Sequence, residues 1–276
     1  MLNLKHVKEG NIYLQFLIIF ILTIILFYVI IPLLYFGGIR VLVYISELKK
    51  LSSFWISTRI ICEIILMGPV FAIIYYFMMK RLIAEIDIEK GNNKYYVALL
   101  EIGVLTFMCI SVMGHTIHML FDQANRVYFN SNDGMDTSEL YSLLYYSDEW
   151  LGHHLIHIAY SGYIAMALIT EFLSENHKRL RNDELIYTIC CGVGMGLMFG
   201  YSTYEGQAAV LVVILCVILL IADFIYILVK KINILERPIL ICTIILSIIV
   251  ICLFIWWVAV FGLKPYYPYI YQPSEM

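Results

Sequence analysis

The chain has 276 residues, of which 62% are hydrophobic and 14% charged, against about 25% charged in a soluble domain. A water-soluble protein of this length has no interior large enough to hide that much apolar surface, so a soluble fold is excluded. The net charge of −3 and the lack of a basic patch with interleaved aromatics set a nucleic-acid partner aside.

In chain order, apolar runs predict seven membrane-spanning helices over roughly 11–36, 54–79, 95–121, 150–173, 185–203, 207–229 and 238–262, since about 20 apolar residues cross a bilayer core. The first run follows MLNLKHVKEG; it is too long for a signal-peptide core and lacks a small-residue cleavage site, so it reads as a retained helix. Pro32 and Pro69 fall inside spans one and two, where neighbouring helices can satisfy the freed carbonyls. The 37–53 connection reads as a loop or an interfacial helix. Arg59 and Glu63, four apart on span two, are expected to pair. Between spans three and four, Asp133-Gly134 reads as a turn, and Asp136 followed by Glu139 as a helix start carrying Leu140, Leu143 and Leu144 across the surface. Span five places Gly192, Gly196 and Gly200 on successive turns, a ridge that lets another helix approach closely. Its run Gly192–Gly196 follows no strand, so it is not a dinucleotide loop. All seven cysteines lie in apolar runs and read as small buried hydrophobes. Glu101, Glu171 and Asp223, also inside spans, are expected to serve packing or to snorkel.

Lysine and arginine placement sets the orientation. With the N-terminus inside, the cytoplasmic segments hold Lys5, Lys8, Lys80, Arg81, Lys90, Lys94, Lys178, Arg179, Arg181, Lys230, Lys231 and Arg237, while the outside holds Arg40, Lys49, Lys50, Arg126 and Lys264. Twelve against five favours N-inside. The expected fold is therefore an all-α membrane protein, a bundle of about seven transmembrane helices with the N-terminus inside and the C-terminus outside. It forms a single polytopic membrane domain over 1–276, with the lipid bilayer as its partner and a prokaryotic plasma membrane as its expected place. Tyr266, Tyr267, Tyr269 and Tyr271 in the tail suit an interfacial aromatic belt, as do Tyr145 and Trp150 before span four.

Five of the seven histidines fall in two clusters: His115 and His118 near the end of span three, then His153, His154 and His157 at the start of span four. At 3.6 residues per turn, His115, His118 and Asp122 share one helix face, and Glu149, His153 and His157 share another. His115 and His157 lie about 10 Å inside the external boundary, and His118 and His153 about 5 Å. Two antiparallel helices thus present matching ligands at matching depths. His154 points about 100° away from His153. Imidazole and carboxylate together suit a divalent metal, zinc or non-haem iron first. His115, His118, His153, His154 and His157 are the candidate metal residues, and Asp122, Glu149 and Glu205 the candidate carboxylates for ligation or general-base work. Against that, Asp148 and Glu149 follow Ser147 at a helix start, where acids cap exposed N–H groups, and Asp122 also reads as an ordinary loop aspartate. His177, at the other membrane side, is expected to stand apart from the site.

Ser111-x3-His115, an aspartate and His153-x3-His157 together resemble the ingredients of the seven-helix hydrolase group of alkaline ceramidases and progestin/adipoQ receptors. The resemblance implies a zinc site that cleaves lipid amides. In that family the elements lie far apart, the His-x3-His on the last helix. Here they are adjacent, and span seven has no histidine. From the residues themselves, the leading expectation is a membrane-embedded metal-dependent enzyme acting on a lipid or amphiphilic substrate at the external face. Hydrolysis comes first and non-haem iron oxidation second. Two alternatives stand: a haem b electron-transfer protein with axial His115 and His157, and a metal or small-solute transporter.

Overall fold

The computed structural model describes residues 11–26, 62–87, 91, 93–128, 143–175, 177–205 and 207–262. The 37–53 connection, Arg59, the Asp133-Gly134 turn, the helix start at Asp136 and the tail tyrosines lie outside the described residues, as does the Glu63 side chain. Every element among the described residues is helical. Helix α1 covers Ile12–Ile25, and α2 joins a π-helical stretch, Cys62–Val70, to an α-helical one, Phe71–Ile83. Helix α3 is Asn93–Tyr128, and α4 runs over Leu143–Leu173 with a π-helical turn at Tyr146–Gly152. Helices α5 (Asn182–Glu205), α6 (Ala209–Lys230) and α7 (Pro238–Phe261) complete the bundle.

Six of these, all but α1, are long and apolar enough to cross a membrane, the architecture of an integral multi-pass membrane protein. Helix α1 extends only 14 residues within the described part, short of a full crossing. Pro69 closes the π-helical stretch of α2, where a missing N–H is tolerated because the i→i+4 ladder is already broken.

Helix α4 is the central post: 67% of its most apolar window lies inside the bundle, against 17% for α6. An aromatic cluster packs around it, with Phe20 and Phe71 edge-on and Tyr75 against Tyr163 at 3.9 Å between ring centroids. The Tyr75 hydroxyl donates to the Tyr163 carbonyl at 2.7 Å. The glycine ridge of α5 does what its spacing predicts. Cβ atoms built at Gly192 and Gly196 would come within 2.9 Å of Ile245 and Ile249 of α7, so only glycine lets the two helices approach this closely. The described cysteine side chains are all free thiols.

At the end of the bundle away from the histidines, α4 and α7 cap one another. The buried Glu171 carboxylate accepts from the Ile239 and Leu240 amides at 2.9 Å each, satisfying two N–H groups at the start of α7. In return Arg237, just before α7, donates to the Glu171 and Ser174 carbonyls at the end of α4 and touches the His177 ring. Glu171 therefore does not snorkel: its geometry is that of a helix cap. Glu101 does reach the surface, paired with Lys80 at 2.6 Å. His177 is half-buried against Arg237 and Tyr13, and burial, then the adjacent guanidinium, holds its imidazole below the usual range. It is part of this junction, at the end of the bundle away from the histidine clusters.

Candidate metal centre

The histidine clusters meet because α3 and α4 touch backbone to backbone. A Cβ at Gly114 would lie 2.8 Å from the Ile156 amide nitrogen, and one at Gly152 would lie 2.9 Å from the Cα, Cβ and N atoms of His118. Each histidine motif thus carries a glycine immediately before its first histidine, and the two glycines let the helices close on each other at the level of the imidazoles.

At that contact, His118, Asp148 and His153 each offer a ligand atom, and the three atoms lie within 4.8 Å of one another. This group is able to hold a metal ion. Asp148 is buried, with its side chain 4% exposed against 12% for His118. The His118 Nδ1 and Asp148 Oδ1 are 2.5 Å apart. A carboxylate only accepts, so with Nδ1 protonated the ring donates to Asp148 and presents Nε2 as a lone pair. That is the carboxylate–imidazole arrangement found around bound metals. With Nδ1 deprotonated, Nδ1 and the carboxylate would both be open to hold a metal.

Asp148 is the residue the spacing missed, and the cause is the π-helical turn Tyr146–Gly152. In an α-helix five residues turn through about 500°, leaving Asp148 some 140° from His153. In a π-helix the i→i+5 bond stacks residues five apart, and Asp148 swings onto the His153 face. Glu149 stays close, its Oε2 3.7 Å from His153 Nε2. The expected capping role of Asp148 and Glu149 is corrected. Helix α4 begins at or before Leu143, so both acids lie inside a continuous helix, away from its first N–H groups. A π-helical turn leaves no signature in hydrophobic period; the crowding of SDEW before GHH is the sole sequence hint.

The other candidates sit around this group without joining it. His115 and His157 are buried one turn deeper on their helices, 2% and 3% exposed. His157 stands 6.5 Å from His153 between ring centroids and meets Phe199 edge-on at 5.3 Å. His115 faces Tyr160 edge-on at 6.3 Å. His154 turns to Trp150, with Nδ1 2.6 Å from the Trp150 carbonyl and the rings 4.5 Å apart. Asp122 is a helical residue, since α3 continues to Tyr128, and it lies outside the group. The loop expected there is thus corrected. The Glu205 side chain lies outside the described residues. Ser111-x3-His115, which carried the resemblance to the ceramidase group, contributes nothing to the three-residue cluster. Of the aromatic anchors, Trp150 stacks on Tyr146 at 4.9 Å, and the Tyr145 hydroxyl accepts from Gln207 Nε2 at 2.8 Å. In comparison with known proteins, the chain matches no family model, no curated protein and no solved structure.

Proposed function

We propose that this chain is a membrane-embedded metal-dependent enzyme acting on a lipid or other amphiphilic substrate, with His118, His153 and Asp148 as the core of its metal centre. The observation that carries the reading is the convergence of two imidazoles and a carboxylate from two helices to within 4.8 Å. Ionisable groups inside membrane helices are costly and mark functional sites by default. Two imidazoles and one carboxylate form the donor set of catalytic zinc and equally of non-haem iron. When bound, such a metal acidifies a coordinated water or activates an oxidant. Hydrolysis remains the first expectation and oxidation the second.

Within this reading Asp148 fixes the His118 ring, and Glu149, beside His153, serves as the base that takes a proton from the attacking group. His115 and His157 line the deeper side, where they donate to or orient the polar part of the substrate or complete the ligand set. The tight glycine contacts weigh against the haem alternative: backbones in contact at Gly114 and Gly152 leave no gap between α3 and α4 for a macrocycle.

Elemental analysis of the purified full chain tests this. About one zinc or iron per chain is expected, lost in His153→Ala and kept in His154→Ala, whose ring is engaged with Trp150. Equal metal content in wild type and His153→Ala would overturn the metal centre, and a Soret band bleached by His157→Ala would hand the case to haem.

We further infer seven spans in a plasma membrane, N-terminus inside, with the histidine group toward the outside, supported by the twelve-to-five lysine and arginine bias. A cysteine placed at Asn132 should react with an impermeant thiol reagent on intact cells. Reaction only after lysis would reverse the orientation and move the site to the cytoplasmic face.

A further inference from the structure

Helix α6 carries one acidic residue, and it faces inward. The buried stripe of α6 is Ala209, Val212, Cys216 and Asp223, at helical spacing toward the bundle. Asp223 is 1% exposed, and both its carboxyl oxygens lack a hydrogen-bond partner among the described residues. An ionised carboxylate in that position has lost its water and gained no donor in return, which is untenable without a counter-charge.

Its surroundings are acidic. Cys216 of α6 meets Ser247 of α7. The two helices run antiparallel, so seven residues along, about 10 Å, Asp223 reaches the level of Leu240. The Glu171 carboxylate, whose oxygens take the Ile239 and Leu240 amides, lies at that same level and within electrostatic range of Asp223. The other titratable or charged groups here are Cys216 and Tyr226 on α6, Cys242 on α7, His177 and Arg237. Arg237 is committed to the Glu171 and Ser174 carbonyls, and Tyr226 donates to the Phe172 carbonyl. None of them hydrogen-bonds Asp223.

We propose that Asp223, facing Glu171 between α4, α6 and α7, is a membrane-embedded binding site for an exchangeable monovalent cation, a proton or a sodium ion. Glu171 keeps its own oxygens on the α7 amides, which leaves the Asp223 carboxyl as the group free to take the cation. The site lies about 27 Å along α4 from the histidine group, 18 residues at 1.5 Å each, and the inference does not rest on the metal reading.

Dicyclohexylcarbodiimide, an apolar reagent for protonated carboxyls, tests it on the full chain in proteoliposomes. The carboxyl O–H adds across a C=N bond, its proton passing to nitrogen and its oxygen to the central carbon. The acyl group then migrates to nitrogen as a stable N-acylurea, and nothing leaves. Peptide mapping by mass spectrometry should find the adduct on Asp223, less of it as pH rises, none in Asp223→Asn and none on Glu171. Sodium chloride that protects Asp223, where choline chloride does not, identifies sodium as the occupant. Equal labelling in both salts identifies the proton. Absence of adduct on wild-type Asp223 across pH 5–8, or labelling that moves to Glu171 in the wild type, would overturn the proposal. The wild-type map decides even if the variant does not purify.

Discussion

Asp148→Asn is expected to lower metal affinity by about 10–100-fold or more, while Glu149→Gln leaves the metal bound. The two acids are neighbours in sequence, yet only Asp148 belongs to the three-residue group, 2.5 Å from His118. Asparagine keeps the volume of Asp148 and removes its charge, so packing around the buried side chain is preserved. The His118 ring then loses the carboxylate that orients it, and the cluster loses its one anionic ligand. Glu149→Gln changes a group 3.7 Å from His153 and, if Glu149 is the base, lowers turnover with metal content unchanged. Metal titration of the two purified variants checks this. Wild-type affinity in Asp148→Asn, or metal loss confined to Glu149→Gln, would return the carboxylate role to Glu149.

The second large effect is expected from a methyl group. Gly152→Ala places a Cβ 2.9 Å from three atoms of His118, two of them backbone, where ordinary contacts begin at 3.4 Å. Helices α3 and α4 must part by about half an ångström or more, because backbone atoms cannot turn aside as a side-chain end can. Overpacking of this kind costs about 1–3 kcal/mol. The consequence for the site is larger than that figure suggests, since ligands on two separating helices no longer converge, and metal affinity should fall by about 10–100-fold. Gly194→Ala is the matched control. Its Cβ would meet only the Cδ1 end of Ile21, which can rotate away, so metal content and melting temperature should stay close to wild type. Full metal occupancy in Gly152→Ala would show that the helix contact does not set the ligand geometry.

These two residues also show where sequence was readable and where it was not. The apolar runs gave the helices well, and six described helices match predicted spans. The meeting of His118 with His153 followed from depth and antiparallel order alone. Asp148 did not follow, because its position depends on a π-helical turn, and apolar periodicity is blind to five residues closing one turn instead of four. The glycines at 114 and 152 were visible as letters. Their meaning lay in which atoms of the partner helix stood opposite, a tertiary fact. Of the two readings open for Glu171, packing or snorkelling, burial leaves only the first, and its capping role is again a tertiary fact. A lone acid in an apolar run looks like a snorkelling side chain until the first amides of a distant helix are found on its oxygens.

That mutual capping of α4 and α7 bears on the order of biogenesis. Helix α4 leaves the ribosome three helices ahead of α7, and until α7 arrives Glu171 lacks the two amides that hold it. The partly inserted chain therefore waits with a carboxylate unsatisfied at membrane depth, a state with every reason to stay loose or to borrow water. Arrival of α7 ends the wait on both sides at once, because Arg237 enters just ahead of the amides that Glu171 needs. A nascent chain halted at Lys231 would lack both halves of that latch. Arrival of α7 is thus the step at which the two helix ends latch.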